Sequence, residues 1–359
     1  MKTATLTYQR HDNIGAMLQC YALQQTIVKL GCENEIVDYV CAPADRIFGL
    51  SSLRVKGLKK YITSCIGVIS RLPKKPAFNK FRRCRLNLTK RYDRSNINEI
   101  DGRYDGYIVG SDNVWNSRLT GLDANYFLDF VSDGHRKASY AASMGLAEPH
   151  ENERASFAAA LKDFAYVSTR ERRAAQSLEK ICSRKVDDAC DPTFFLNAEQ
   201  WTELALPPSE KYEYVLAYHM SPSLSFTEFV RKFAARKGLP VIYVPFPYGM
   251  CGCRAKPHIG PCEWLGYIKN AGYVVTDSFH GCVFSSIFER NLIIKVSQLG
   301  ERIVNLTEKL GIGDRMVNTV EEAVMLPEQD YSRVRGKIEK YRADGLEKLS
   351  GIIKTFSEI

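Results

Sequence analysis

Residues 273–281 read Tyr-Val-Val-Thr-Asp-Ser-Phe-His-Gly, and this stretch decides the fold. Tyr273 to Thr276 is a short run rich in β-branched side chains, the pattern of a buried strand. Asp277 and Ser278 are helix-capping residues, and an apolar helical run from Gly281 to Glu289 follows them. The same strand-then-helix unit recurs on both sides. Downstream lie strand Leu292 to Val296 and helix Arg302 to Leu310; upstream lie strand Tyr214 to Tyr218, helix Phe226 to Lys237, strand Pro240 to Val244 and helix Cys262 to Ala271. This alternation implies a parallel sheet with helices on both faces.

The first half repeats the theme less regularly. Strand Thr3 to Tyr8, helix Ala16 to Leu30 and strand Glu35 to Val40 form a βαβ unit. Its connecting loop holds a single glycine, so it lacks the dinucleotide fingerprint. Further strands are expected at Tyr107 to Val109, Lys137 to Met144 and Ala165 to Ser168, with a helix from Glu153 to Lys162. Asp187 and Asp188 read as a solvated turn, Pro207 and Pro208 as a linker, and Tyr331 to Ile359 as a helix. The expected architecture is α/β, with two doubly wound Rossmann-like domains facing a cleft. They span 1–205 and 206–330, with a basic helical insertion at about 46–94 and a C-terminal helix over 331–359.

Composition narrows the class. The chain has 359 residues, 45% hydrophobic and 25% charged, which excludes collagen-like and wholly disordered readings. No run of about 18 apolar residues occurs, and the start lacks a signal-peptide layout, so a cytoplasmic location is expected. Eleven scattered cysteines suggest reduced thiols. The net charge of +9 is concentrated: residues 46–92 hold fourteen Lys and Arg and no Asp or Glu, which leaves the remainder at −5. Something anionic is the natural partner of that segment.

In doubly wound sheets, ligands bind beyond the carboxyl ends of the strands, where helix N-termini face anions. Four loops stand there. Asp277 to Gly281 offers Ser278 and His280 at a helix start, suited to a phosphate with an acid or base beside it; a simple cap over a packed His fits the same pattern. Ser168-Thr169-Arg170-Glu171 would aim the planar fork of Arg170 at a carboxylate or phosphate, although a surface pair with a Glu is the plainer reading. Gly110 to Asn116, with Ser111, Asp112 and Asn116, suits a sugar or phosphate, or a capped turn over Trp115. Asn13-Ile14-Gly15 lets a ligand approach the backbone, or is a tight turn. Cys251, Cys253 and Cys262 with His258 lack a zinc-ligand spacing, so no metal is expected there.

Taken together, these loops resemble the polysaccharide pyruvyl transferase family. The matching runs are residues 13–24, 107–116 (Tyr-Ile-Val-Gly-Ser-Asp-Asn-Val-Trp-Asn), 139–145, 168–171, Asp191-Pro192-Thr193, 271–281, and 302–304 leading to 310–312. Two positions depart from the pattern: Asn113 stands where a glutamine is usual, and Gly300 where some members carry a lysine, with Arg302 the nearest cation. The resemblance implies a fold like glycosyltransferase type B and transfer of a pyruvate ketal from phosphoenolpyruvate to a sugar, with release of phosphate. It implies no metal or redox cofactor. On this view His280 is the general acid, Asp112 the base for the sugar hydroxyl, and Arg170, Arg302 and the Ser278 turn hold the donor. Asn13, Gly15, Ser111 and Asn116 complete the substrate-binding set, and the acceptor is a lipid-diphosphate-linked or nucleotide-linked sugar. A nucleotide-sugar-dependent glycosyltransferase of the same fold is the rival reading.

The basic stretch has a separate expectation. Residues 57–72, GLKKYITSCIGVISRL, place Leu58, Tyr61, Ile62, Cys65, Ile66 and Ile69 near one helical face flanked by cations. With the charges of 74–91 this suits a peripheral contact with an anionic membrane surface on the inner face, or an apolar stripe packed on the core. Phe78, Phe81 and Tyr92 are too few and irregular for a nucleic-acid stacking platform, so no nucleic acid is expected.

Overall fold

The computed structural model describes residues 1–48, 65, 68, 69, 72–220, 224–244, 253–296 and 300–358. The chain divides into two compact units. One comprises Met1–Val68, Arg82–Phe195 and Tyr341–Ile359; the other comprises Ile69–Phe81 and Leu196–Lys340. The division at Leu196 falls earlier than the 205/206 boundary read from the sequence. The reason is Trp201, which is fully buried and packs edge-on against Phe284 at 4.9 Å, while Leu206 N donates to Cys262 O.

The first unit runs β1 (Lys2–Leu6), α1 (Ile14–Lys29), β2 (Glu33–Tyr39), α2 (Ala42–Phe48), α3 (Lys75–Arg85, entering this unit at Arg82) and β3 (Leu88–Tyr92). Next come β4 (Gly106–Val109), α4 (Ser117–Thr120), β5 (Lys137–Ser139), α5 (Arg154–Leu161), β6 (Ser168–Thr169), α6 (Arg172–Cys182) and β7 (Asp187–Asp188). The sheet order is β3-β2-β1-β4-β5, every pair parallel, with Thr3 opposite both Asn34 and Gly106. Single bridges, Ala138 to Tyr166 and Ala142 to Thr169, extend it to the β6–β7 pair. All four residues of β4 are buried, as a central strand covered on both faces requires.

Three expectations change. The strand expected over 137–144 stops at Ser139, and beyond it Ala141 adopts φ +47° with its N–H on Ser168 Oγ instead of a ladder partner. Asp187 and Asp188 form strand β7 rather than a solvated turn. The basic insertion is not wholly helical, because its end supplies the edge strand β3. Residues 57–64 and most of 65–71 lie outside the described residues, and with them most of the expected interfacial helix.

The second unit runs α7 (Ala198–Leu204), β8 (Val215–Tyr218), α8 (Leu224–Lys237), β9 (Val241–Val244), β10 (Arg254–Ala255), α9 (Pro261–Lys269) and β11 (Tyr273–Thr276). It continues through α10 (Phe279–Ile287), β12 (Asn291–Lys295), α11 (Glu301–Leu310), β13 (Met316–Val317), α12 (Val320–Met325) and α13 (Ser332–Ser357), whose C-terminal part returns to the first unit at Tyr341. The order β10-β9-β8-β11-β12-β13 is fully parallel and is that of a six-stranded Rossmann sheet. Phe226, Phe229, Val230 and Phe233 of α8 close one face over Val215, Ala217 and Val275. No described helix is long and apolar enough to cross a membrane.

Each sheet therefore reverses its winding once, between β1 and β4 in the first unit and between β8 and β11 in the second. Loops leaving adjacent strands part at those two points, and the carboxyl ends there are where ligands bind in such folds.

Candidate functional site

In the second unit the switch point is built from the loop that the sequence singled out. Thr276 Oγ1 accepts from Ser278 N at 3.0 Å, and Ser278 Oγ then caps α10 by accepting from Gly281 N at 3.4 Å. Gly281 is required by this close turn, since a Cβ there would lie 2.3 Å from Thr276 Oγ1. The result places Ser278 and His280 in the first turn of α10, both nearly buried, with the His280 ring edge-on to Phe279 at 5.1 Å. Asp277 Oδ1 accepts from Met220 N at 2.7 Å and so ties the loop after β11 to the loop after β8. Arg302 is the second residue of α11, a helix packed against α10, and is half-buried.

The same switch point holds a pair that sequence reading passed over. His219, just beyond β8, lies 2.8 Å from the Tyr243 hydroxyl through Nε2, and its ring stacks between Phe226 and Tyr243 at 4.7 and 5.4 Å. A His one residue past a buried strand was the available signal. Cys251, grouped with Cys253, His258 and Cys262 in the sequence, lies outside the described residues; among the described residues no group of three or more His, Cys, Asp or Glu side chains is arranged to hold an ion.

In the first unit the strand-end loops are wired together around Arg170. This guanidinium is 1% exposed, and its Nη2 donates to Asp112 Oδ1 at 2.9 Å and its Nη1 to Asp191 Oδ2 at 2.6 Å. Glu171 Oε1 lies 3.8 Å from Nε and accepts a short bond from Ser143 Oγ. Burial opposes the charge on Arg170, but Asp112, Asp191 and Glu171 outweigh it and raise its pKa further, so the cation persists at any ordinary pH. The fork that the sequence reading aimed at a bound anion is thus occupied by the protein's own carboxylates. Asp112, expected as a base, is 2% exposed with one oxygen on that fork.

The network reaches further. Ser111 Oγ donates to Asp191 Oδ2 at 3.3 Å, Ser111 N donates to Gln19 Oε1 at 3.2 Å, and Ser143 N donates to Ser111 O at 2.8 Å. Asp191 Oδ1 accepts from both Thr193 N and Thr193 Oγ1. Loops after β4, β5, β6 and β7 and helix α1 therefore share one buried polar knot. Gly110 lets the β4 loop enter it, for at φ +147° a Cβ would sit 2.0 Å from Tyr140 O. Asn116 caps α4 through Arg118 N at 3.2 Å and donates to Asn113 Oδ1. Asn13 caps α1 by accepting from Ala16 N at 3.1 Å, and Gly15 is buried in that first turn.

Of the nine residues named from sequence, the structure joins Ser111, Asp112 and Arg170 in this knot, with Asn116 at its edge, and sets Ser278 and His280 on one helix turn. Asn13 and Gly15 serve the start of α1, and Arg302 lies on α11. Gln19 on α1, and Ser143, Glu171, Asp191 and Thr193 in the runs after β5, β6 and β7, are the polar members the sequence did not mark as a site.

Comparison with solved structures shows the fold. A putative UDP-N-acetylglucosamine 2-epimerase from Listeria monocytogenes matches with TM-score 0.56 and 10% identity, over 99% of this chain and 96% of that one. MnaA of S. aureus, in a co-structure with UDP, matches with TM-score 0.53 and 13% identity over 99% and 97%. Arabidopsis thaliana UGT89C1 complexed with UDP matches with TM-score 0.51 and 11% identity over 98% of each chain. At such identities the likeness speaks for the fold alone, the glycosyltransferase type B class with its two Rossmann-like domains. Among curated proteins no sequence match is found. A family model described as polysaccharide pyruvyl transferase matches residues 13–294, from the cap of α1 through the His280 turn to β12, and the chain belongs to that family.

Proposed function

We propose that this protein transfers the pyruvyl unit of phosphoenolpyruvate to two hydroxyls of a sugar in a polysaccharide precursor, forming a pyruvate ketal and releasing phosphate. The observation that supports it most is the family match, which runs from the cap of α1 to β12 and includes the Arg170 knot and the His280 turn. The acceptor is a sugar linked to a lipid diphosphate or to a nucleotide.

His280 protonates the methylene carbon of the enol, which leaves an oxocarbenium-like centre at the neighbouring carbon. One sugar hydroxyl adds there and loses its proton; phosphate then leaves with the C–O bond electrons as the second hydroxyl closes the ring. Atoms balance: one hydroxyl proton replaces the one His280 gave, and the other leaves with phosphate. The N-terminal turn of α10, with Ser278, suits the donor's phosphate, and Arg302 its remaining negative charge. Asp112 and Arg170 act by holding the β4 loop in place rather than by touching the donor. No resident cofactor enters this scheme.

The test is phosphate release from phosphoenolpyruvate on adding lipid- or nucleotide-linked sugars, run in deuterated water and with chelator. The expected product carries one deuterium in its ketal methyl, and chelator leaves the rate unchanged. Acceptor-dependent release of nucleoside diphosphate from a nucleotide sugar, with phosphoenolpyruvate untouched, overturns the proposal.

A further inference from the structure

Helix α3 separates two kinds of cation that look alike in the sequence. Its apolar positions Phe78 and Phe81 are buried, and Lys74, just before it, is 8% exposed with its ammonium 5.5 Å over the Phe78 ring. Arg82 also turns inward: Nη2 donates to Asp12 Oδ1 at 2.6 Å and to Arg10 O at 2.8 Å, and Nε to Gln9 O, so this side chain holds the loop after β1. These two cations belong to the protein's interior economy and are unavailable to a partner. Lys75, Lys80, Arg83 and Arg85 are different, because all four are exposed and none has a carboxylate within 4 Å among the described residues.

At 100° per residue, Lys75, Asn79, Arg83 and Lys80 fall on one half of the helix, opposite Phe78 and Phe81. Some exposed cations elsewhere are paired: Lys90 with Glu99, Arg91 with Asp38, Lys2 with Glu35, Lys232 with Glu228, Arg335 with Glu289. On α3 no such pair is formed by Lys75, Lys80, Arg83 or Arg85 among the described residues. Just ahead of α3 in the chain, two large apolar side chains are exposed, Ile69 at 62% and Leu72 at 51%.

We propose that the exposed face of α3, with Ile69 and Leu72 just ahead of it in the chain, is a docking surface for an anionic lipid bilayer. Cations together with exposed aliphatic side chains match the two components of interfacial binding, attraction to headgroups and shallow apolar burial. A nucleic acid is the less suited partner, since both aromatic rings of the helix are buried and offer bases nothing to stack on. A purely soluble polyanion would make no use of Ile69 and Leu72. The contact is electrostatic in the main and therefore reversible and salt-dependent. It stands independently of the transferase reading.

The probe is the full chain with vesicles of phosphatidylcholine alone or with about a third phosphatidylglycerol, separated by flotation in low and high salt. Binding to the anionic vesicles only, lost in high salt, is expected. Each headgroup-engaged cation accounts for about fivefold in partitioning, so the triple variant Lys75→Gln, Lys80→Gln, Arg83→Gln should lose about two powers of ten, and Arg85→Gln, on the other side of the helix, should lose little. Ile69→Ser with Leu72→Ser should weaken binding at both salt concentrations. All six side chains are exposed, so melting temperature should stay put and serves as the folding control. Equal recovery with neutral vesicles, an unaffected triple variant, or tighter binding to single-stranded or duplex nucleic acid than to anionic vesicles would overturn the proposal.

Discussion

Replacing Arg170 by Met removes a cation from a knot of three buried carboxylates. Asp112, Glu171 and Asp191 have side chains 3%, 0% and 0% exposed, and they lie within 2.6–3.8 Å of the guanidinium. Taking one partner from a buried ion pair costs about 3–5 kcal/mol, because the remaining charge keeps its desolvation penalty. Here two strong pairs share the lost partner, so the upper end of that range applies at neutral pH. The cost depends on pH, and its sign follows from linkage. Without Arg170 the carboxylates face burial and mutual repulsion, so their folded pKa values rise above the unfolded values of about 4. Stability of the variant is then fully present below about pH 4 and is lost as pH rises through the raised folded values. The wild type lacks this loss, since Arg170 stays charged throughout. For a unit of this size, 3–5 kcal/mol corresponds to a fall of roughly 6–20 °C in melting temperature. Thermal melts of wild type and Arg170→Met from pH 5 to 8 should show a gap that widens with pH. Adding Asp112→Asn and Asp191→Asn to the variant should close much of it. A loss below about 1 kcal/mol, or one equal at pH 5 and pH 8, would refute the argument that this Arg neutralises a sealed acidic cluster.

Three further outcomes follow from the same geometry. His280→Ala should lower turnover by ~10²–10⁴-fold while donor affinity is largely kept, measured by phosphate release and by donor titration; a near-normal rate removes His280 from the chemistry. Gly110→Ala should destabilise the first unit by about 3 kcal/mol or more, because the added Cβ meets a backbone carbonyl in a left-handed conformation, and an unchanged melting temperature would contradict this. Glu210 is desolvated, which alone would raise its pKa, yet bonds from Lys256 at 2.5 Å, Tyr267 at 2.8 Å and Ser209 bring it down to about 2. Its contribution is therefore present above the unfolded value of about 4.3 and fades as pH falls toward 2; Glu210→Gln should cost roughly 1.5–3 kcal/mol at pH 7 and almost nothing near pH 2.

The candidate site was legible in part. Ser278 and His280 could be placed from the strand before them, because a cap followed by a glycine that must approach Thr276 leaves the intervening side chains in one helical turn. Arg170 was singled out by its place at a strand end, but its partners were not readable. Its partners are 58 and 21 residues away in sequence, at Asp112 and Asp191, and only the sheet order brings them within bonding distance. His219 was missed for a related reason: a His at a strand end has no periodic signature, and its Tyr243 partner sits on the neighbouring strand.

What the amino-acid sequence determined by itself was local and periodic. The strands at 215–218, 241–244, 273–276 and 291–295 and the helices between them follow from apolar runs, caps and glycine stops that act over a few residues. Parallel pairing followed as well, since each strand is separated from the next by a helix. Tertiary structure decided everything that depends on which distant residues meet. It ended β5 at Ser139 by offering Ala141 N a side-chain acceptor, and it made β7 from Asp187 and Asp188 by giving them Ser168 and Thr169 as neighbours. It also divided the cations of 74–85, turning Lys74 and Arg82 inward and leaving Lys75, Lys80, Arg83 and Arg85 to solvent. A charge has the same formal value at every position in a sequence, and its energy is set by the dielectric and the partners that the folded chain places around it.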